Sequence, residues 1–239
     1  MIQTLVYSDH ESMSVRAAER IEQQLRYKPG SLLCLATGHT PMLSYDMLAA
    51  RVLSEPELGR EVRVVKLDEW GGLAMDDPAS CEVFLQTSLI LPLGWHDRYL
   101  AFDGQASDFD NECARIARVL EAEGPIDLCV LGLGLNGHLG FNEPAAYLQP
   151  HAHVANLSHT SLTHTMLTQT ATRPSCGLTL GIADLLQSRQ ILLLVSGAAK
   201  RPVVERLLSG RITTEFPASM LLTHPHATLM CDEAAWPEI

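Results

Sequence analysis

Four short runs dominate what this chain can fold into: "SLLCLA" (Ser31 to Ala36), "VRVVKL" (Val62 to Leu67), "IDLCVLGLG" (Ile126 to Gly134) and "QILLLVSG" (Gln190 to Gly197). Each is near-continuously apolar. A strand with one face in water would alternate, so runs like these belong to parallel strands covered on both faces. The stretches between and around them repeat apolar residues at i, i+3 and i+4, as amphipathic helices do: "ESMSVRAAERIEQQLRY", "PMLSYDMLAARVL", "ASCEVFLQTSLILPL", "SDFDNECARIARVLEAEG" and "AAKRPVVERLLSG". Alternating strand and helix imply an α/β protein with a mostly parallel sheet and right-handed crossovers. With 239 residues, the expectation is a single three-layer α/β/α Rossmann-like domain. Ligands in such folds bind at the carboxyl ends of the strands. Chemistry is therefore sought just after each apolar run.

After the first run comes "ATGHTP". Thr40 suits a helix N-cap and Pro41 the first helical position, and Gly38 lets a ligand approach the backbone, so this turn reads as an anion seat or as a plain capped turn. After the second comes "LDEWGG", where the adjacent carboxylates Asp68 and Glu69 point to opposite sides. Only one of them can face a cleft, and the pair reads as surface turn acids unless other strands deliver partners to the same rim. After the third comes "LGLGLNGHLGFNEP", which spells G-x-G-x-x-G through Gly132, Gly134 and Gly137. A dinucleotide site needs an acid about 20 residues downstream, and no Asp or Glu occurs between Pro144 and Ala183. The glycines then serve close approach to a small ligand, while His138 and Glu143 converge on it as a proton shuttle and the carboxylate that orients it. After the fourth comes "VSGAAK". Lys200 alone would be a solvated lysine, but beside the "ATGHTP" seat it supplies a cation for an anionic substrate.

The formal charge of -11 and pI near 5.3 argue against nucleic acid or an anionic membrane as partner. The six cysteines are scattered with no C-x-x-C pair, which excludes the usual zinc pattern and suits reduced thiols in a cytoplasmic protein. Nothing approaches the roughly 18 apolar residues of a membrane span, and the N-terminus lacks an export pattern. The irregular segment 147–174, rich in His and Thr, reads as a lid or flap.

"TGHTP", "LDEW", "LGLGLNGHLGFNEP", "LTLGIADLL" and "VSGAAK", in this order and spacing, resemble the glucosamine-6-phosphate deaminase family of amino-sugar-phosphate deaminase/isomerases. The resemblance runs from about Ser31 to Asp232. "VKLDEW", "DLCVLGLGLNGHLGFNEP" and the "PAS" of "EFPASM" look most like its galactosamine-6-phosphate branch. The resemblance implies that Asp68 moves the proton between C2 and C1 of the sugar. It also implies that His138 opens the ring with Glu143 holding the imidazole, and that Thr37, Gly38, His39, Thr40 and Lys200 bind the 6-phosphate. Gly134 and Gly137 shape the substrate loop. The implied chemistry needs no metal and no cofactor; the partner is an amino-sugar phosphate, and a homo-oligomer is compatible with the chain.

Three departures from the family pattern stand out. Asn136 replaces an Asp, which limits it to positioning. Leu167 replaces the phosphate-binding arginine, for which Arg173 is the substitute offered by the sequence. His153 and Ala155 occupy the positions that bind an acetylated amino-sugar phosphate activator in allosteric members, so no such activation is expected. The competing readings are a 6-phosphogluconolactonase, whose corresponding loop lacks an acid such as Glu143, and a non-catalytic sugar-phosphate sensor, which would carry a basic DNA-binding unit.

Overall fold

The structure is a computed structural model that describes residues 2–163 and 165–237. Its strands are β1 (Gln3–Tyr7), β2 (Leu32–Leu35), β3 (Arg63–Lys66), β4 (Asp68–Gly71), β5 (Tyr99–Leu100), β6 (Leu128–Gly132), β7 (His153–Ala155), β8 (Cys176–Thr179), β9 (Gln190–Val195) and β10 (Ala227–Asp232). The helices are α1 (His10–Tyr27), α2 (His39–Ser54), α3 (Cys81–Leu85), α4 (Leu91–Leu93), α5 (Phe109–Glu123), α6 (His159–Leu162), α7 (Ile182–Leu186) and α8 (Arg201–Leu208). Seven strands form one sheet in the order β1-β10-β9-β6-β2-β3-β5, with every pairing parallel. The other three form a small antiparallel sheet, β4-β8-β7.

The apolar runs are continuous because both faces of the large sheet are covered. Leu33, Leu35, Val64, Val130 and Leu192 point to one side, where Met13, Ile21 and Leu25 of α1, Leu48 and Val52 of α2, and Leu85 of α3 meet them. Cys34, Val65, Cys129, Leu131 and Leu193 point to the other, against Ile116 of α5, Leu185 of α7 and Val203 and Leu207 of α8. Strand period two therefore sorts one core into two layers. This is the expected three-layer α/β/α arrangement.

The four expected strands are β2, β3, β6 and β9, and they lie side by side as β9-β6-β2-β3 in the middle of the sheet. Two helix expectations change. α2 begins at His39 with Gly38 as its N-cap, at φ 103° and with no side-chain cap, so Thr40 is not the cap and Pro41 lies inside the first turn. The stretch "ASCEVFLQTSLILPL" is not one α-helix: α3 passes through a π-helical turn at Gln86–Ile90 into α4. Pro92 has no N–H to contribute to an α-helical ladder there, and Gly94 closes the stretch in the left-handed conformation at φ 64°.

Candidate active site

The carboxyl ends of β2, β3, β6 and β9 open into one cavity of about 420 Å³. Thr37, Gly38, His39 and Thr40 reach it from β2, Asp68 from the end of β3, Gly134 and His138 from β6, and Lys200 from β9. Asp68 and His138 thus share one hollow. Glu143 and Asn136 stand behind His138, and Gly137 turns the loop. Arg173 does not belong to this group: it is exposed and does not line the cavity. Leu167 packs with the apolar group of Trp70 and Phe141, and Lys200 is the lysine among the described residues that line the cavity.

Asp68 is 8% exposed, and its Oδ1 is buried without a hydrogen-bond partner. Loss of water and the neighbouring Glu69 carboxylate push its pKa up to about 7, against the pull of the Lys66 ammonium. An acid tuned to that value gives and takes protons near neutral pH. Glu69 itself turns away from the cavity and is fully buried, so the two adjacent carboxylates do divide between opposite sides.

The glycine-rich loop is shaped around the imidazole. A Cβ on Gly134 would sit 2.4 Å from the ring of His138, and one on Gly137, at φ 90°, would sit 2.1 Å from Phe216. His138 Nδ1 lies 3.4 Å from Glu143 Oε2, close enough for charge coupling. Asn136 ties the loop to the carboxylate: its Oδ1 accepts the backbone N–H of His138 at 3.1 Å and its Nδ2 donates to Glu143 Oε2 at 2.8 Å. An aspartate could not make that second bond, so here the amide serves the carboxylate rather than sharing its charge. Burial works to raise the Glu143 pKa, but the His138 imidazole, the Ser161 hydroxyl and Asn136 outweigh it and hold the carboxyl at about 2. It stays ionised. Asn142, by contrast, is structural, donating to the carbonyls of Leu139 and Leu180 at 2.8 Å each.

The expected anion seat has two sides. A Cβ at Gly38 would meet nothing within 4 Å, so the uncapped start of α2 faces open space at the cavity wall. Its positive dipole end attracts an anion. Opposite, Lys200 Nζ donates to the Leu133 carbonyl, and burial lowers its pKa from the usual lysine range. Asp232 holds this second loop by accepting the Ser196 hydroxyl at 2.5 Å and the Gly197 N–H at 3.1 Å.

The expected lid carries more structure than the sequence suggested: β7 pairs with β8, α6 follows, and a 3-10 turn spans Thr165–Gln169. Ser161 and Met166 from this segment line the cavity. Its Ser158 hydroxyl donates to Glu143 Oε1 at 3.0 Å, and the Ser161 hydroxyl donates to the same oxygen. Ser158 is also the N-cap of α6, accepting the Ser161 N–H. The S-x-x-S spacing in "LSHTSL" is the cap signal that would have found the pair. Trp70 and Phe141, rings 4.5 Å apart, add an apolar wall that no motif announced.

The family described as "Glucosamine-6-phosphate isomerases/6-phosphogluconolactonase" matches residues 8–231. The chain belongs to that family. It is 40% identical over 226 residues to "Putative deaminase AgaI" of Escherichia coli (strain K12), covering 93% of this chain and 89% of that protein. A glucosamine-6-phosphate deaminase of Geobacillus sp. (strain WCH70) is 37% identical, with 95% and 92% covered. Among solved structures, a monomeric glucosamine-6-phosphate deaminase described as a missing link of the NagB superfamily matches with TM-score 0.93 and 32% identity over 98% of both chains. The protein is a family enzyme of the hexosamine-6-phosphate deaminase kind.

Proposed function

We propose that the protein converts galactosamine 6-phosphate to tagatose 6-phosphate and ammonia, with glucosamine 6-phosphate, giving fructose 6-phosphate, as the alternative substrate. The observation that carries this reading is the common cavity, in which Asp68 and His138 approach from separate strand ends beside an anion seat. His138, with Glu143 beside its ring and Asn136 holding both its backbone and that carboxylate, exchanges the proton at the ring oxygen and opens the sugar. Asp68, ionised, takes the proton from C2, giving an enolamine, and returns it to C1. The resulting C2 imine adds water and releases ammonia, leaving the ketose phosphate. The start of α2 and Lys200 hold the 6-phosphate throughout and so position the sugar.

The galacto preference rests on "VKLDEW" and "EFPASM", which look most like that branch. One epimeric hydroxyl is read by one or two side chains, worth about 1–3 kcal/mol. The test offers both hexosamine 6-phosphates in parallel and measures ammonia and ketose phosphate. A tenfold higher kcat/KM for the galacto epimer, about 1.4 kcal/mol in the transition state, supports the finer reading. The opposite preference overturns it, and no ammonia from either substrate overturns the reaction itself.

A further inference from the structure

Two residues before Asp68, Lys66 ends β3 with 0% of its surface exposed. An ammonium taken out of water so completely needs anionic partners. It has two, donating to Glu69 Oε2 at 2.6 Å and to Glu82 Oε2 at 2.7 Å. Each carboxylate is itself saturated. Glu69 accepts the N–H groups of Trp70 at 2.8 Å, Cys81 at 3.0 Å and Glu82 at 2.8 Å, which makes it a cap for the first turn of α3. Glu82 accepts the Tyr99 hydroxyl at 2.9 Å and the Gln86 amide at 2.7 Å. The network ties β3, β4, β5 and α3 together directly behind the cavity.

Stability alone is a poor reason for this arrangement. Two carboxylates and an ammonium lose several kcal/mol of hydration each on burial, and apolar side chains of similar volume commonly serve a core as well or better. Neither Lys66, Glu69 nor Glu82 lines the cavity, yet Asp68 and Cys81, the residues that this corner carries, both do. Asp68 keeps one oxygen buried and unbonded. Its ionisation therefore depends on nearby charge.

We propose that Lys66 is a positioning residue for Asp68: by clamping Glu69 and Glu82 it fixes the β4–α3 corner that presents Asp68 to the cavity, and it supplies the positive charge that allows this carboxyl to ionise away from water. The inference rests on the reading of Asp68 as the base. The other titratable groups around Asp68 are Glu69 on its own strand, Cys81 from α3, which also hydrogen-bonds it, Cys34 from β2 and Tyr45 from α2, while His138 and Lys200 face the same cavity. Burial holds both thiols and the phenol well above their ordinary pKa, so they stay neutral and leave the field to Lys66 and its two carboxylates. The lysine is outnumbered. Small changes in the balance therefore reach Asp68 with little screening.

Three variants separate this role from plain structural support. K66M removes the positive charge, E82Q removes one of the two negative charges, and K66M/E82Q restores the wild-type balance. Two quantities are followed: the carbon-13 titration of the Asp68 carboxyl, assigned by its loss in D68N, and the acid limb of kcat/KM for ammonia release. The expected result is an upward move in K66M of about one pH unit, a roughly tenfold loss on the acid side, a downward move in E82Q, and a return toward wild type in the double variant. A structural role alone predicts instead that the double variant is the worst of the three and that losses are equal at every pH. If K66M fails to fold, E82Q and the double variant still carry the comparison. An Asp68 signal that does not move in any folded variant overturns the proposal. A signal that moves while the rate profile stays put leaves Lys66's effect on Asp68 standing and overturns the reading of Asp68 as the base.

Discussion

At the scale of single residues, the site trades stability for reactivity at Asp68. Its folded pKa, about 7, lies above the value of roughly 3.9 for an unfolded aspartate. The folded state therefore keeps a proton that the unfolded chain has already lost. It follows that stability falls as pH rises across the window between those two values and stays low above it. D68N removes the ionisation and keeps the shape. We expect it to be more stable than wild type at pH 8, by about 1–3 kcal/mol, with the difference fading toward pH 4; paired thermal melts at the two pH values measure this. Gly134 makes a second residue-scale prediction. Gly134→Ala puts a methyl group into the His138 ring, so the imidazole must leave its place. Ammonia release should fall by about 10²-fold, the usual worth of a positioned acid–base group, while far-UV circular dichroism stays native.

At the scale of elements, the proposed phosphate seat joins a helix start to a strand-end lysine. Lys200→Ala should raise KM at least about tenfold, as expected for losing a charge-assisted hydrogen bond of about 1.5–3 kcal/mol. Arg173→Ala should leave KM within about twofold, because that side chain is outside the cavity. Steady-state kinetics on both variants checks the pair. The same scale shows what could be read from the chain and what could not. The four buried strands, and the residues that their ends bring to one cavity, were legible because apolar runs covered on both faces carry a strong signal. Edge strand β1 has exposed and half-buried positions, and β10 follows a stretch of His and Pro, so neither stands out as an apolar run. The small sheet was hidden because β4 holds two acids, a Trp and a Gly, and its partners are three or four residues long. Pairing at that length is decided by tertiary context, which a local pattern does not record. No motif singles out Lys66, whose meaning appears only when Glu69 and Glu82 close around it. Arg173 shows the converse failure, since closeness in sequence to a missing arginine says nothing about where the side chain points.

At the scale of the molecule, the two sheets divide the labour. The large parallel sheet lines up four strand ends, and the small antiparallel sheet joins Asp68 to the segment that covers the cavity through the register Asp68↔Thr179↔His153. That segment also holds Glu143 through Ser158 and Ser161, so the cavity wall and the imidazole's partner are one unit. The resemblance places His153 and Ala155 where allosteric members of the family bind an activator, so velocity is expected to follow a simple hyperbola in substrate. Adding an acetylated amino-sugar phosphate should leave it unchanged; initial-rate curves with and without that compound decide the point.

The central claim is that Asp68 removes a proton from carbon in a cavity where His138 has opened the sugar. Ammonia release from hexosamine 6-phosphate by wild type and D68N, side by side at pH 8 and with both proteins shown to be folded, tests it most directly. D68N is expected to lose about 10²- to 10⁴-fold in kcat with KM little changed. A D68N enzyme that works within tenfold of wild type would contradict the claim.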